Sequence, residues 1–263
     1  MIERLFIGLA VSLLVSVAGW KAHALSGSGA MAAVVVGTAI AAGASWPGIV
    51  VLGTFFVLSS ALSRIRSRDD VSEKGSRRDA GQVLANGGVA ALAALPGVVG
   101  HELLAFALVA ASLAAATADT WATEIGSTST TPPRMLVSRR QARRGEAGGV
   151  TTRGTLAALA GATLVGTVAA VAGGIRFGTT EGFVIGTVAA FGGIVGAMAD
   201  SLAGELIQER RYCPVCRQAT EATTHRCGTA TVQRVGVTGL NNDVVNVLCT
   251  LSGALVGGLI LVF

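Results

Sequence analysis

Residues 103–124 read LLAFALVAASLAAATADTWATE. From Leu103 to Ala118 the run carries no charge, and it then meets Asp119 and Glu124. About 20 predominantly apolar residues cross the hydrocarbon core of a bilayer as a helix, so this stretch reads as a membrane span that stops at a polar surface. Comparable runs lie near residues 5–20, 30–45, 48–63, 83–99, 154–175, 182–199 and 244–263. With 103–118 they predict an all-α, polytopic membrane protein of about eight transmembrane helices, a single integral-membrane domain over residues 1–263.

Composition points the same way. The chain has 263 residues, of which 51% are hydrophobic and only 13% charged, and its mean hydropathy is +0.64. A soluble domain carries about 25% charged residues, so a soluble globular enzyme and a disordered chain are both excluded. Gly contributes 36 residues, about twice its usual share, which favours close helix contact. Gly192 to Gly196 and Gly253 to Gly257 have GxxxG spacing, which lets backbones approach, although chance also produces such pairs in a chain this rich in Gly.

The formal net charge of +5 is not spread evenly. Arg64, Arg66, Arg68, Lys74, Arg77 and Arg78 fall in one connection, Arg134, Arg139, Arg140, Arg143, Arg144 and Arg153 in a second, and Arg210, Arg211, Arg217, Arg226 and Arg234 in a third. Basic loops flanking spans stay cytoplasmic and face anionic lipid. All three are therefore expected on the cytoplasmic side of the inner membrane, with no role in binding nucleic acid. Strict alternation then puts 43–48, 95–102 and 173–182 outside, together with the N-terminus. The first segment lacks the basic start and small-residue cleavage site of a signal peptide, and an uncleaved span is expected.

The span quoted first has a counterpart. Residues 118–124 read ADTWATE and residues 199–205 read ADSLAGE; both fit Ala-Asp-[Thr/Ser]-x-Ala-x-Glu at the same end of two spans of like orientation. This internal repeat predicts two carboxylate clusters at one depth. Charged groups near hydrocarbon are costly and mark functional sites. Two amide groups join them at the starts of inward-facing helices: Gln82 with Asn86, and Asn241, Asn242, Asp243 and Asn246. Two glycine-hydroxyl segments do the same, Ser26-Gly27-Ser28-Gly29 and Gly148-Gly149-Val150-Thr151-Thr152-Arg153-Gly154, at helix starts whose exposed N–H groups suit phosphate.

Oxygen ligands beside amides and cations suit Mg²⁺ bridging a polyphosphate. The candidates are Asp119, Glu124, Asp200, Glu205 and Asp243, with Lys74, Arg77 and Arg78 to neutralise phosphate charge. Five residues of helix turn about 500°, so Asp119 and Glu124 point about 140° apart and reach one ion only if the helix ends or bends between them. Interfacial caps or ion pairs are the competing reading of these carboxylates. No GxxxxGK[ST] loop and no kinase H-R-D with D-F-G set occurs, so a phosphoryl-transfer site would have to be assembled from helix ends.

The third basic loop, 206–238, contains Cys213-Pro214-Val215-Cys216 and His225-Arg226-Cys227. Three thiols and one imidazole match the four donors of a closed, structural zinc site; a disulfide is the alternative, disfavoured in a reducing compartment. A small cytoplasmic zinc-knuckle loop is therefore expected. Cys249 lies inside the last span and reads as a packing residue.

Taken together, QVLANG (82–87), ADTWATEIG (118–126), GGVTTRG (148–154), 200–205, CPVC with HRCG, and NNDVVN (241–246) resemble the integral-membrane domain-of-unknown-function family that includes plant and cyanobacterial phytyl-phosphate kinase. The resemblance implies an isoprenoid-monophosphate kinase that moves a phosphoryl group from a nucleoside triphosphate, typically CTP, to phytyl phosphate. On that reading Asp119 and Asp200 carry Mg²⁺, Asn86 and Asn242 hold phosphate or metal-bound water, and Lys74, Arg77 and Arg78 clamp phosphates with Gln82, Arg153, Gly154, Ser28 and Gly29. The partners would be the nucleotide, a prenyl-phosphate lipid and the membrane lipids. Two other functions fit the same residues: a secondary transporter, which also uses repeats and intramembrane polar groups, and a cytidylyltransferase making a CDP-lipid.

Overall fold

The computed structural model describes residues 2–67, 77–220 and 222–262; Lys74 lies outside them. Seven helices among the described residues are long and apolar enough to cross a membrane. They are α1 (Ile2–Lys21), α2 (Gly27–Ser67), α3 (Ala80–Ala93) prolonged by the short α4 (Leu95–Val98), α5 (Glu102–Gly126), α6 (Thr152–Phe177), α7 (Thr179–Leu206) and α8 (Asn242–Val262).

One of the seven supplies two passes. Ser45 in α2 has φ 56 and ψ −158, far from helical values, and the chain doubles back there. Gly37 and Leu52 would stand about 22 Å apart along a straight helix. Instead, a Cβ at Gly37 would lie 3.7 Å from Leu52 Cδ2. Pro47 opens the second arm, where a residue without an N–H costs nothing. The spans read at 30–45 and 48–63 are thus the two arms of a hairpin, and the polytopic all-α fold makes eight passes.

α5 is the centre. From Ala105 to Ala118 every residue except Leu108 is buried, which requires a helix apolar on all sides. It packs against α2, α3, α6, α7 and α8. Its alanines meet the two GxxxG pairs. A Cβ at Gly192 would lie 2.7 Å from Gly253 O, and one at Gly196 would lie 2.5 Å from Ala115 Cβ and 2.6 Å from Cys249 O. No side chain fits at these positions, so the spacings do mediate helix contact between α7, α8 and α5.

The polar connections segregate to two ends. At one end Glu102 pairs with Arg4 and Arg176, each 3.0 Å away, and Gly43 packs against Ala94. The other end gathers the described residues of the three basic connections. There β1 (Arg134–Met135) and β2 (Gly149–Val150) pair antiparallel and fold the α5–α6 connection back on itself. The α7–α8 connection is a three-stranded antiparallel sheet in the order β4-β3-β5, from β3 (Arg210–Cys213), β4 (Gln218–Thr220) and β5 (Val232–Val235).

The helix contacts make a stability prediction. Gly196→Val should cost about 1–3 kcal/mol, the scale of overpacking, and lower the thermal unfolding midpoint of the detergent-purified protein. Gly53→Ala, where an added Cβ meets nothing within 4 Å, should leave that midpoint unchanged or raised.

Candidate functional site

α5 and α7 run in the same direction, and the repeat sets their polar ends at one depth. Asp119 and Asp200 meet there, their carboxyl groups within hydrogen-bonding reach of each other. The repeat holds in detail, because Thr120 Oγ1 donates to Ala116 O and Ser201 Oγ donates to Ala197 O, each four residues back. Two carboxylates this close repel unless a proton or a cation lies between them. Asp200 Oδ1 is buried and has no hydrogen-bond partner among the described residues. Unsatisfied buried oxygens are rare and call for an explanation; an oxygen-seeking divalent cation meets that need chemically.

The pair opens into a cavity of about 450 Å³, within the size range of small-molecule sites. Its wall is the glycine-hydroxyl segment 148–151 and the start of α6. Gly148 has φ 79, and a Cβ there would lie 2.3 Å from Glu205 N. Only glycine can make that turn. Thr151 caps α6, its Oγ1 accepting from Gly154 N at 3.0 Å, while Gly154 packs on Ala122 O. Asn242, Gln208, Arg144 and Glu146 add amide and charged groups to the lining. Glu146 ties this wall to the sheet: it accepts from Arg140, from Arg143 N at 2.9 Å and from Arg210 at 2.9 Å. The Arg140 guanidinium, against the cost of partial burial, holds its carboxyl below the ordinary range.

The repeat's two glutamates serve elsewhere. α5 continues unbroken to Gly126, so Glu124 points away from Asp119 and accepts from Ser63 Oγ at 2.6 Å. Glu205 accepts from Val137 N and Ser138 N, both at 2.8 Å. Neither lines the cavity; each fastens a neighbouring segment to its helix end.

Above the α7 end, Cys213, Cys216, His225 and Cys227 present four donor atoms within 4.8 Å of one another. Cys213 Sγ and Cys227 Sγ are 3.6 Å apart, well beyond a disulfide bond, and Cys216 N donates to Cys213 Sγ at 3.4 Å. Thiolates around a tetrahedral zinc sit about 3.8 Å apart for Zn–S of ~2.3 Å. The cluster therefore suits that ion, as the spacing in the sequence suggested.

Comparison with known proteins shows the family. A family model for the integral membrane protein DUF92 matches residues 10–254. The chain belongs to the DUF92 family. It is 28% identical over 259 residues to the uncharacterized membrane protein MJ0933 of Methanocaldococcus jannaschii, covering 98% of this chain and 94% of that one. It is 26% identical over 248 residues to Protein PGR of Arabidopsis thaliana, covering 81% and 82% of the two chains. No solved structure matches.

In this DUF92 protein the candidate residues fall into separate groups. Asp119, Asp200, Asn242 and Gly154 share the polar cavity. Arg78, Gln82 and Asn86 line a different one, between α1, α2 and α3. The Gln82 side chain there completes a capping box with Asp79, accepting from Asp79 N while Asp79 Oδ1 accepts from Gln82 N, and Asn86 Nδ2 donates to Gln82 O at 2.9 Å. Ser28 and Gly29 belong to a turn docked on the Arg78 backbone, with Ser26 Oγ 3.0 Å from both Gly29 N and Ser28 Oγ. Arg77 contacts His23, Arg153 Nη1 donates to Thr128 O at 3.4 Å on the surface, and Asp243 packs against Gly81. Arg144 is the cation of the polar cavity that the sequence reading passed over; its one signal was its place just before the Gly148 segment.

Proposed function

We propose that the protein is a membrane phosphotransferase that moves the terminal phosphoryl group of a nucleoside triphosphate, with CTP the nucleotide implied by the resemblance, onto a prenyl monophosphate. The observation that supports it is the pair Asp119–Asp200 at the base of a polar cavity walled by a glycine-hydroxyl turn and a helix start. In this reading the three basic loops face the cytoplasm, where nucleotide is available. Asp119 and Asp200 hold Mg²⁺, which supplies charge neutralisation on the phosphoryl oxygens. The 148–154 turn and Arg144 orient the triphosphate, and Asn242 hydrogen-bonds at its edge.

Little proton chemistry is required. An oxygen of the acceptor monophosphate, already anionic, forms the new bond to the terminal phosphorus. The bond from that phosphorus to the bridging oxygen breaks, and the nucleoside diphosphate leaves with the electron pair. Catalysis is then alignment and charge neutralisation, which fits a cavity whose lining, among the described residues, holds no histidine. The thiol-imidazole cluster plays no chemical part: a closed four-ligand zinc site is structural, and here it would brace the β3–β5 sheet that meets the cavity wall through Arg210 and Glu146.

Two measurements test this. Purified protein given Mg²⁺, labelled nucleoside triphosphates and a panel of prenyl monophosphates should form the prenyl diphosphate and nucleoside diphosphate. Asp119→Asn or Asp200→Asn should lower turnover by about 10²-fold or more, roughly 2.7 kcal/mol of transition-state stabilisation, with partial rescue by excess Mg²⁺. A product retaining the nucleoside monophosphate would make it a cytidylyltransferase, and full activity in a folded Asp119→Asn protein would end the catalytic reading. Separately, metal analysis should find about one zinc per chain, lost in Cys213→Ser; a metal-free but fully folded sheet would remove the zinc proposal.

A further inference from the structure

The second cavity lies apart from the Asp119–Asp200 pair and differs from it in kind. It is a narrow slot of about 100 Å³ between α1, the two arms of α2 and the start of α3. Its walls are Val36, Leu52, Phe55 and Phe56 and their apolar neighbours; Ser12 and Ser16 of α1 add two hydroxyls, and its charged and amide groups are Arg78, Gln82 and Asn86. Gln82 and Asn86 spend side-chain hydrogen bonds within α3. Arg78 does not share in that network. Its guanidinium stands over the Phe55 ring, 5.3 Å from the centroid. Among the described residues no carboxylate lies within ion-pair distance of it, and Glu124 acts on it only at longer range. Burial pulls its pKa below the ordinary arginine value, which is the cost of leaving a cation without a partner.

An apolar slot closed at one end by a guanidinium that has no carboxylate partner among the described residues is complementary to an amphiphile with one slim chain and one anionic head. The small volume seats a segment of one chain, with the rest in the lipid, and leaves no room beside it for a second. We propose that this slot binds a single-chain lipid monophosphate, the chain lying between α1 and the α2 hairpin and the phosphate against Arg78. The proposal rests on the phosphotransferase reading for its purpose, since it assigns where the acceptor docks; the acceptor's phosphate leaves Arg78 for the Asp119–Asp200 cavity before transfer. Glu124 marks the path between the two sites: it is the carboxylate that Arg78 senses, and its neighbour Thr123 lines the polar cavity. α1 packs substantially only against α2, so the slot borders the lipid phase on the side where a chain would enter.

The test reads binding without nucleotide or turnover. Full-length protein in detergent is labelled with a single-chain alkyl monophosphate carrying a diazirine in its chain, and the labelled residues are mapped by mass spectrometry. Label should fall on residues 11–16, 33–37 and 49–56. It should be competed by an unlabelled alkyl monophosphate and much less, at least 10-fold, by the matching alcohol, by phosphatidic acid or by inorganic phosphate. Gly53→Leu adds bulk at a lining position where a Cβ meets nothing within 4 Å, so it should block labelling at an unchanged unfolding midpoint. Arg78→Gln should erase the preference for phosphate over alcohol. Labelling that falls mainly on other helices, survives Gly53→Leu, or is competed equally by the alcohol overturns the proposal. Slot labelling in a protein that transfers no phosphoryl group would sink the phosphotransferase reading and leave this one standing; normal turnover in Gly53→Leu would do the reverse.

Discussion

Everything at the polar end of this protein depends on how closely α5, α7 and α8 approach. Their contact surfaces are Ala and Gly, and at Gly192, Gly196 and Gly253 the neighbouring backbone or Cβ occupies the space a side chain would need. In a bilayer, where lipid tails are as apolar as leucine, packing of this kind is what holds helices together. It also sets a distance. With the helices this near and in register, two aspartates at equivalent repeat positions have no choice but to face each other, and the energetic penalty of that encounter is met by the many contacts above it.

Around that pair the structure divides labour among residues of the same type. Of the repeat's four carboxylates, the two aspartates face the cavity, while Glu124 and Glu205 bind Ser63 Oγ and the 137–138 backbone. The cations divide likewise: Arg144 stands in the polar cavity, Arg78 in the apolar slot, and Arg4 and Arg176 close the far end on Glu102. In the proposed reading the polar chamber would take the triphosphate and the apolar slot the acceptor lipid, with α3 and the end of α5 between them.

Much of this was legible in the sequence, and what was legible followed from periodicity. Apolar runs gave the eight passes, even the hairpin at 43–48, because a bilayer imposes one length on every span. The repeat gave the Asp119–Asp200 pair because equal spacing from equivalent span ends means equal depth. The Cys and His spacing gave the four-donor cluster. What could not be read was direction around a helix axis at its ends and the partners across distant loops. Glu124 looked like a ligand until the unbroken end of α5 turned it toward Ser63. Lys74, Arg77 and Arg78 looked like one clamp because they are adjacent in sequence, yet Arg77 meets His23 while Arg78 lines the slot. The three-stranded sheet of residues 210–235 escaped notice, since its strands are short and set by long-range pairing. Glu102 joins groups 98 and 74 residues away, a clasp no local pattern announces.

The central claim is that Asp119 and Asp200 act as one divalent-cation site. Manganese is a paramagnetic substitute for Mg²⁺ at oxygen-ligand sites, so titration of zinc-replete, detergent-purified protein with Mn²⁺, followed by loss of the free-ion electron paramagnetic resonance signal, reads that site directly. The account predicts saturable binding of about one Mn²⁺ per chain, displaced by Mg²⁺, and weakened at least 10-fold by Asp200→Asn in a protein that stays folded. Equal Mn²⁺ binding by the wild-type and Asp200→Asn proteins, or none by either, would contradict it.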